Sequence, residues 1–494
     1  LSLKVIGLDV GTASVKGLLV DEDGKILCSS SYPLTVNTPA PGWAEQDVCS
    51  WWIASYEILN RLLSSGVRKV DAISVSGQMH SLVPLDKHMT PVRQSILWCD
   101  QRTYNECSEI TELYGGEEAA LHSLGNPVLP GFTASKILWM KKHELEIFNS
   151  VKKMMLPKDY ITFMLSNEAT CEPSDASGTA MFDIRKNCYD NKMLSLLGIE
   201  ESILPNLHPT GRIVGLVNSQ VLPEMNGVPV VTGAADNAAA AYGCGVEREG
   251  DVMISIGTSG TVVAITDNPL VDESGSIHLF SHAKSGSCYH MAVILSAANS
   301  LNWFRERFAP DLSPKEISEI VSSSPAGSNG IVFLPYLSGE RTPHRNPSAR
   351  GVLFGLCSYH SRADVLRSIM EGVAFALRQG GECIKTLGTP FRKVRIVGGG
   401  SRSAAWCQIV ADNFNIVLEK PLIDEGAAYG SARLAAEAIG VETASWIHPH
   451  AETYVPCEKT RSIYDGIYGI YKGLYTDLKS HFDSIAAFQS LTNQ

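Results

Sequence analysis

The sequence predicts an α/β protein made of two related domains that face each other, covering residues 1–246 and 247–494. Two observations carry this expectation. Each half holds one plan: a β-branched strand, a glycine turn with Thr in second place, a second strand, and later a strand ending in glycine. At roughly 100–200 residues per domain, 494 residues are also more than one core organises. The repeat lies in the plan and not in the letters.

In the first half, Val5–Val10 reads as a buried strand, Gly11–Ser14 as a tight turn and Val15–Asp21 as a second strand. Asp23-Gly24 is a hairpin signal leading into a third strand, Lys25–Ser31. A helix is expected over Val48–Ser64 with Asp47 as its cap, followed by a strand at Val70–Ser76 that ends in Gly77. The second half offers strands at Asp251–Ile256 and Thr261–Thr266 around the turn Gly257-Thr258-Ser259-Gly260. A strand at Lys393–Val397 runs into Gly398-Gly399-Gly400, and a helix is expected at Ala404–Phe414. The join between halves falls near Gly243–Gly250, where glycines and charged residues cluster.

Composition removes several classes. The apolar fraction is 44% and charged residues are 19%, too much apolar surface for a disordered chain. A net charge of −11 leaves no global basic footprint for nucleic acid and no polybasic membrane segment. None of the twelve cysteines forms a C-x-x-C pair, so they read as reduced residues of a cytoplasmic protein. Apolar stretches such as Met291–Ala298 are far shorter than the ~18 residues that span a bilayer. The N-terminus enters a strand-like run directly, so no signal peptide is expected before it.

Gly11-Thr12 and Gly257-Thr258-Ser259-Gly260 each connect two buried strands. Glycine lets backbone N–H groups approach a ligand, and successive amides in such a turn form an anion-binding concavity. Either turn alone reads equally as a hairpin connection. Two in matching positions point to phosphate binding between the halves. No Walker loop is present. Asp9, at the end of the first strand, would repel a phosphate unless a cation lay between them, and so implies Mg²⁺; a turn-capping Asp is the competing reading. Lys16 could point its charge at the same phosphates. Gly398-Gly399-Gly400-Ser401 would let backbone pass close to a nucleotide, or serve as a plain strand-to-helix turn.

Asp236 is a single carboxylate in the small, apolar stretch Val230–Ala238. A buried charge needs a partner or a task. An Asp there can take a proton from a hydroxyl attacking phosphorus, or cap the helix that the following alanines predict. His80 follows the strand-terminal Gly77, where side chains of an α/β sheet face the crevice, and with Gln78 it offers uncharged hydrogen bonds suited to a polyol. Trp98 sets an aromatic face beside polar groups, whereas Asp100 and Arg102 read as a structural salt bridge.

Together these residues resemble the FGGY carbohydrate kinase family over nearly the whole chain, from Leu8-Asp9-Val10-Gly11-Thr12 to Gly426-Ala427-Ala428-Tyr429-Gly430-Ser431-Ala432. Two longer segments look like family signatures. One is Gly131-Phe132-Thr133-Ala134-Ser135-Lys136-Ile137-Leu138-Trp139, and the other runs from Gly351-Val352-Leu353-Phe354-Gly355-Leu356 to Ile369-Met370-Glu371-Gly372. Gly77-Gln78-Met79-His80, Trp43-Ala44-Glu45-Gln46-Asp47 and Trp98-Cys99-Asp100-Gln101-Arg102 are similar to members that act on D-xylulose. Glycerol-directed members carry an Arg-Glu pair where this chain has Met79-His80.

The resemblance implies two actin-like, ribonuclease-H-like domains with a nucleotide cleft between them, sugar and base on the first and ATP on the second. It implies Asp236 as catalytic base, and Met79, His80, Trp98, Asp236 and Asn237 as sugar contacts. Asp9 would lie near Mg²⁺, with Gly11, Thr12 and Lys16 near the transferred phosphate, and Gly257, Thr258, Gly399, Gly400 and Ser401 near ATP. The expected reaction moves the γ-phosphoryl group of MgATP to the primary hydroxyl of D-xylulose, giving the 5-phosphate. Related kinases of ribulose, fuculose, gluconate or another polyol are the alternative, and a non-kinase actin-like ATPase the more distant one. A small sugar is the expected partner, with no nucleic acid, no membrane and room for a homodimer, in the cytoplasm.

Overall fold

The β-branched run Lys4–Val10 forms the strand on which the first half is built, pairing antiparallel with Ser14–Asp21 and parallel with Ala72–Gly77. The structure, a computed structural model, describes residues 3–65, 69–218, 220, 222–423, 425–447 and 452–492. It divides into two compact units. One comprises Leu1–Glu247, Leu279–Tyr289 and Glu425–His448; the other comprises Arg248–His278, His290–Asp424 and Pro449–Gln494. The units are not two consecutive stretches of chain: an eleven-residue segment and a helix-bearing segment of the second half are counted with the first unit.

The first unit carries a six-stranded sheet in the order Ile213–Leu216, Pro229–Ala235, Ala72–Gly77, Lys4–Val10, Ser14–Asp21, Ile26–Pro33. The expected helix runs Val48–Leu63, and Asp47 caps it by accepting the Cys49 N–H at 3.0 Å. Trp51, Ala54, Ile58 and Leu62 fall at helical spacing and pack with Ile6, Leu8, Val10 and Leu19 in one buried core. The opposite face takes the helix Gly426–Ala438. That approach requires Gly7, since a Cβ there would sit 2.0 Å from the Ala428 carbonyl oxygen. Three parallel neighbours end level with one another, Val10 opposite Gly77 and Gly77 opposite Ala235. The residues that follow these three strand ends therefore lie along one edge, where open α/β sheets bind ligands.

The second unit repeats this order. Its sheet holds Cys288–Ile294, Gly260–Thr266, Asp251–Ile256, Lys393–Val397, Leu418–Lys420 and Glu452–Tyr454 in sequence across the strands, and five residues of the first of these strands belong to this unit. Asp251–Ile256 pairs antiparallel with Gly260–Thr266 and parallel with Lys393–Val397, the pairing of the first unit over again. The expected helix Ala404–Phe414 forms, with Ser403 accepting the Trp406 N–H at 3.2 Å. The core is completed by the helix Arg362–Thr386, which begins with a Ser361–Asp364 capping box, and by Tyr464, Tyr468 and Tyr471 of the helix Arg461–Thr492. Among the described residues no helix is long and apolar enough to cross a membrane.

Candidate active site

Asp236 follows the last of the three level strand ends. The pairing of Pro229–Ala235 with Ala72–Gly77 shifts register between Thr232 and Ala235, an irregularity that re-aims the residue after it. Ala235 takes the cap position of the helix Asp236–Gly243, so Asp236 is the first helical residue and not the cap. Its Oδ1 accepts the Asn237 N–H at 2.6 Å and the Asn237 Nδ2–H at 2.9 Å. Burial and, after it, the nearby Asp9 carboxylate push the Asp236 carboxyl up to about 7, against the pull of the two Asn237 donors. A carboxylate with that affinity for protons holds and releases one near neutral pH.

Asp9 sits opposite Lys16 in the antiparallel pair and beside Ser76 in the parallel one. The Ser76 hydroxyl donates to Asp9 Oδ1 at 3.1 Å. Burial raises the Asp9 carboxyl above its ordinary value, and Ser76 and Lys16 draw it part of the way back. Lys16 forms an ion pair with Glu425, the residue before the helix Gly426–Ala438. A carboxylate whose ionisation is opposed by a neighbouring one marks a place where a cation would be stabilising. Among the described residues no group of three or more His, Cys, Asp and Glu side chains could hold a metal.

Thr12, in the first glycine turn, is wired to Trp98, Gln78 and Gln46. Its hydroxyl accepts from Trp98 Nε1 at 2.9 Å and donates to Gln78 Oε1 at 3.0 Å. Gln46 Nε2 donates to the Thr12 carbonyl at 2.7 Å, and Gln78 Nε2 donates to Gln46 Oε1 at 3.2 Å. Gln78 is thus buried with both ends of its amide engaged, and does not face outward as the sequence suggested. Asp100 and Arg102 are structural as expected. Arg102 donates to both Asp100 oxygens, pairs with Glu45 at 2.7 Å and stacks 3.6 Å over Trp43.

His80 has φ 70°, the left-handed region that non-glycine residues seldom occupy. Its Nδ1 lies in hydrogen-bond contact with the Gly178 carbonyl oxygen. A carbonyl can only accept, so Nδ1 carries a proton. Met79 is buried beside it. Gly178 makes room for both: a Cβ there would lie 2.6 Å from His80 Nδ1 and 2.7 Å from the Met79 methyl. Phe132 lies 4.5 Å from the His80 ring, and Phe280 lies 6.0 Å away on the other ring contact.

In the second unit the turn after Asp251–Ile256 closes through the Gly257 N–H donating to the Ser259 carbonyl at 3.0 Å. The N–H groups of Ala297 and Ala298 donate to the Thr258 and Gly257 carbonyls, both at 2.9 Å, so carbonyls are turned toward the start of the helix Ala298–Phe308. Thr258 itself is exposed. Gly398 has φ 87°, and a Cβ on it would stand 2.9 Å from the Ile256 carbonyl oxygen, so the glycine run crosses the end of that strand. Gly400 packs on Ile256, while Gly399 has open space around it. Ser401 is buried, its hydroxyl donating to the Gly398 carbonyl at 2.8 Å.

The first unit therefore brings together Asp9, Gly11, Thr12, Lys16, Met79, His80, Trp98, Asp236 and Asn237, and the second gathers Gly257, Thr258, Gly399, Gly400 and Ser401. Sequence reasoning missed Gly178, Glu425, Phe280 and the buried Lys136. Only Lys136 carried a local signal, a lone cation before the apolar run Ile137-Leu138-Trp139-Met140.

Known proteins match this arrangement. Residues 4–243 match the N-terminal domain, and residues 252–439 the C-terminal domain, of the FGGY family of carbohydrate kinases. The chain is 38% identical to the xylulose kinase of Lactococcus lactis, over 95% of this chain and 96% of that one. It superposes on the "xyloylose kinase" of Brucella ovis with a TM-score of 0.90 at 34% identity, covering 96% of this chain and 99% of the other. The gluconate kinase of Lactobacillus acidophilus gives a TM-score of 0.93 at 25% identity, covering 98% and 100%, so backbone shape does not separate the sugars. With two consecutive family domains, this actin-like α/β fold and relatives matched over nearly their full length, the chain belongs to the FGGY family of carbohydrate kinases.

Proposed function

We propose that this protein phosphorylates D-xylulose, moving the γ-phosphoryl group of ATP to the primary hydroxyl to give D-xylulose 5-phosphate. The observation that carries the reading is Asp236, a carboxyl raised to about 7 on the same sheet edge as Met79 and His80. Asp236 takes the hydroxyl proton as that oxygen attacks the γ-phosphorus; the new P–O bond forms while the bond to the β-phosphate oxygen breaks, and ADP leaves. Asn237 holds the Asp236 carboxylate in one orientation. His80 Nε2 accepts from a sugar hydroxyl, and Met79 and Trp98 give the carbon skeleton apolar walls. Gly11, Thr12 and Lys16 meet the transferred phosphate, for which Lys16 exchanges its Glu425 partner. Gly257, Thr258, Gly399 and Gly400 offer backbone to the nucleotide, and Ser401 keeps the glycine turn closed.

Asp9 would hold Mg²⁺, which when bound neutralises charge on the phosphates. All twelve cysteines are free, which supports a reducing, cytoplasmic setting. Assembly as a homodimer is proposed on family resemblance alone, and sedimentation equilibrium reads it. The test of function is sugar-dependent ADP release over D-xylulose, D-ribulose, L-fuculose, gluconate and glycerol. The highest kcat/KM is expected with D-xylulose; preference for another member of the panel overturns the assignment.

A further inference from the structure

The signature segment Gly131–Trp139 contains a lysine that the reaction above does not use. Lys136 is completely buried in the helix Thr133–His143, and no carboxylate pairs with it among the described residues; Asp100 acts on it only through space. Burial draws its ammonium down to about 7. A cation so placed is retained only where its donors are needed. Its Nζ donates to the carbonyls of Gly131, of Phe132 at 3.2 Å and of His80 at 3.4 Å. The Thr133 hydroxyl, also buried, donates to the same His80 carbonyl at 2.9 Å.

These donors meet His80 where its backbone is least comfortable, at φ 70°. Left-handed non-glycine residues persist only when their surroundings over-determine them. Here the carbonyl is held by Thr133 and Lys136, the ring nitrogen by the Gly178 carbonyl, and the ring face by Phe132, the residue just before Thr133. One short stretch thus supplies the carbonyl anchors and the packing face. We propose that Thr133 and Lys136 are positioning residues that lock His80 in its left-handed conformation and so set where its imidazole meets the sugar. The proposal rests on the sugar-kinase reading only for what the imidazole meets.

The test uses full-length Thr133→Val, Thr133→Ser and Lys136→Met. Each is assayed for the KM of D-xylulose and of ATP, and for the methyl resonance of Met79 in protein labelled with ¹³C-methyl methionine, Met79→Leu giving the assignment. The Met79 methyl packs beside Gly178 and reports the loop whatever the sugar is. Thr133→Val, which keeps shape and loses the donor, is expected to move the Met79 resonance and raise the sugar KM by about tenfold with the ATP KM unchanged. Lys136→Met should act in the same direction, and Thr133→Ser should restore both readings. An unmoved Met79 resonance in Thr133→Val overturns the proposal, as does a parallel rise of both KM values that Thr133→Ser fails to reverse. Should Lys136→Met not fold, the Thr133 pair decides. Absence of D-xylulose turnover in the unsubstituted enzyme would overturn the sugar assignment and leave the methyl resonance to decide this point.

Discussion

Replacing Asp236 by Asn should make the protein more stable and far less active, with both effects traceable to one carboxyl. The Asp236 carboxyl is raised from 3.8 to about 7, mainly by burial and then by Asp9. At 1.36 kcal/mol per tenfold change, that rise corresponds to about 4 kcal/mol. Asp236 still meets solvent over part of its surface, which reduces the realistic figure to about 1–2 kcal/mol. Because the folded value lies above the unfolded one, the favourable contribution is complete below 3.8 and is lost as pH rises to about 7. An amide cannot ionise and its oxygen still accepts from Asn237. Urea unfolding followed by tryptophan fluorescence should therefore show Asp236→Asn more stable at about pH 8, with the gain shrinking as pH falls and nearly gone only at about pH 3. In the same protein kcat should fall by about 10²–10⁴-fold, the usual contribution of a general base. A variant that is no more stable at the higher pH, or whose gain ignores pH, would refute the electrostatic account of this site.

Three further outcomes are expected. Gly178→Ala places a Cβ 2.6 Å from His80 Nδ1, so the ring must shift; the sugar KM should rise by about tenfold while the ATP KM holds, and equal KM values in both forms would count against His80 as a sugar contact. Arg102→Lys loses the two-pronged grip on Asp100 and the stack on Trp43; unfolding should show a loss of about 2–3 kcal/mol with both KM values unchanged. Asp9→Asn removes a charge that lifts Asp236, so the acid limb of the residual kcat–pH profile should move to lower pH, and a limb that stays in place contradicts the coupling.

Much of this was legible in the sequence because its signals are local. Strands Asp251–Ile256 and Lys393–Val397 and helix Ala404–Phe414 have the expected bounds, since β-branched runs ended by glycine and a Ser before an apolar helix leave few alternatives. Asp47 caps as its position suggested. What stayed hidden depends on residues far apart in the chain. Phe280 belongs to a segment that joins the first unit, where Asn126 Nδ2 donates to the Leu279 carbonyl at 2.6 Å across 153 residues. The pairing of Lys16 with Glu425 spans most of the chain. Gln78 looked like a ligand group, yet its amide is taken up by Thr12 and Gln46 through contacts that no spacing reveals. The sequence left Asp236 open as a cap or a base; the register shifts between Thr232 and Ala235 and the cap position falls to Ala235, which removes the cap reading.

The most direct measurement is a single-turnover reaction of Asp236→Ala with radiolabelled MgATP and D-xylulose, run beside equilibrium ATP binding. Sugar phosphate should form at least about a thousandfold more slowly than in the unsubstituted enzyme, with ATP bound as tightly as before. Transfer at close to the unsubstituted rate would mean that another group takes the proton, and the site built here around Asp236 would be the wrong one.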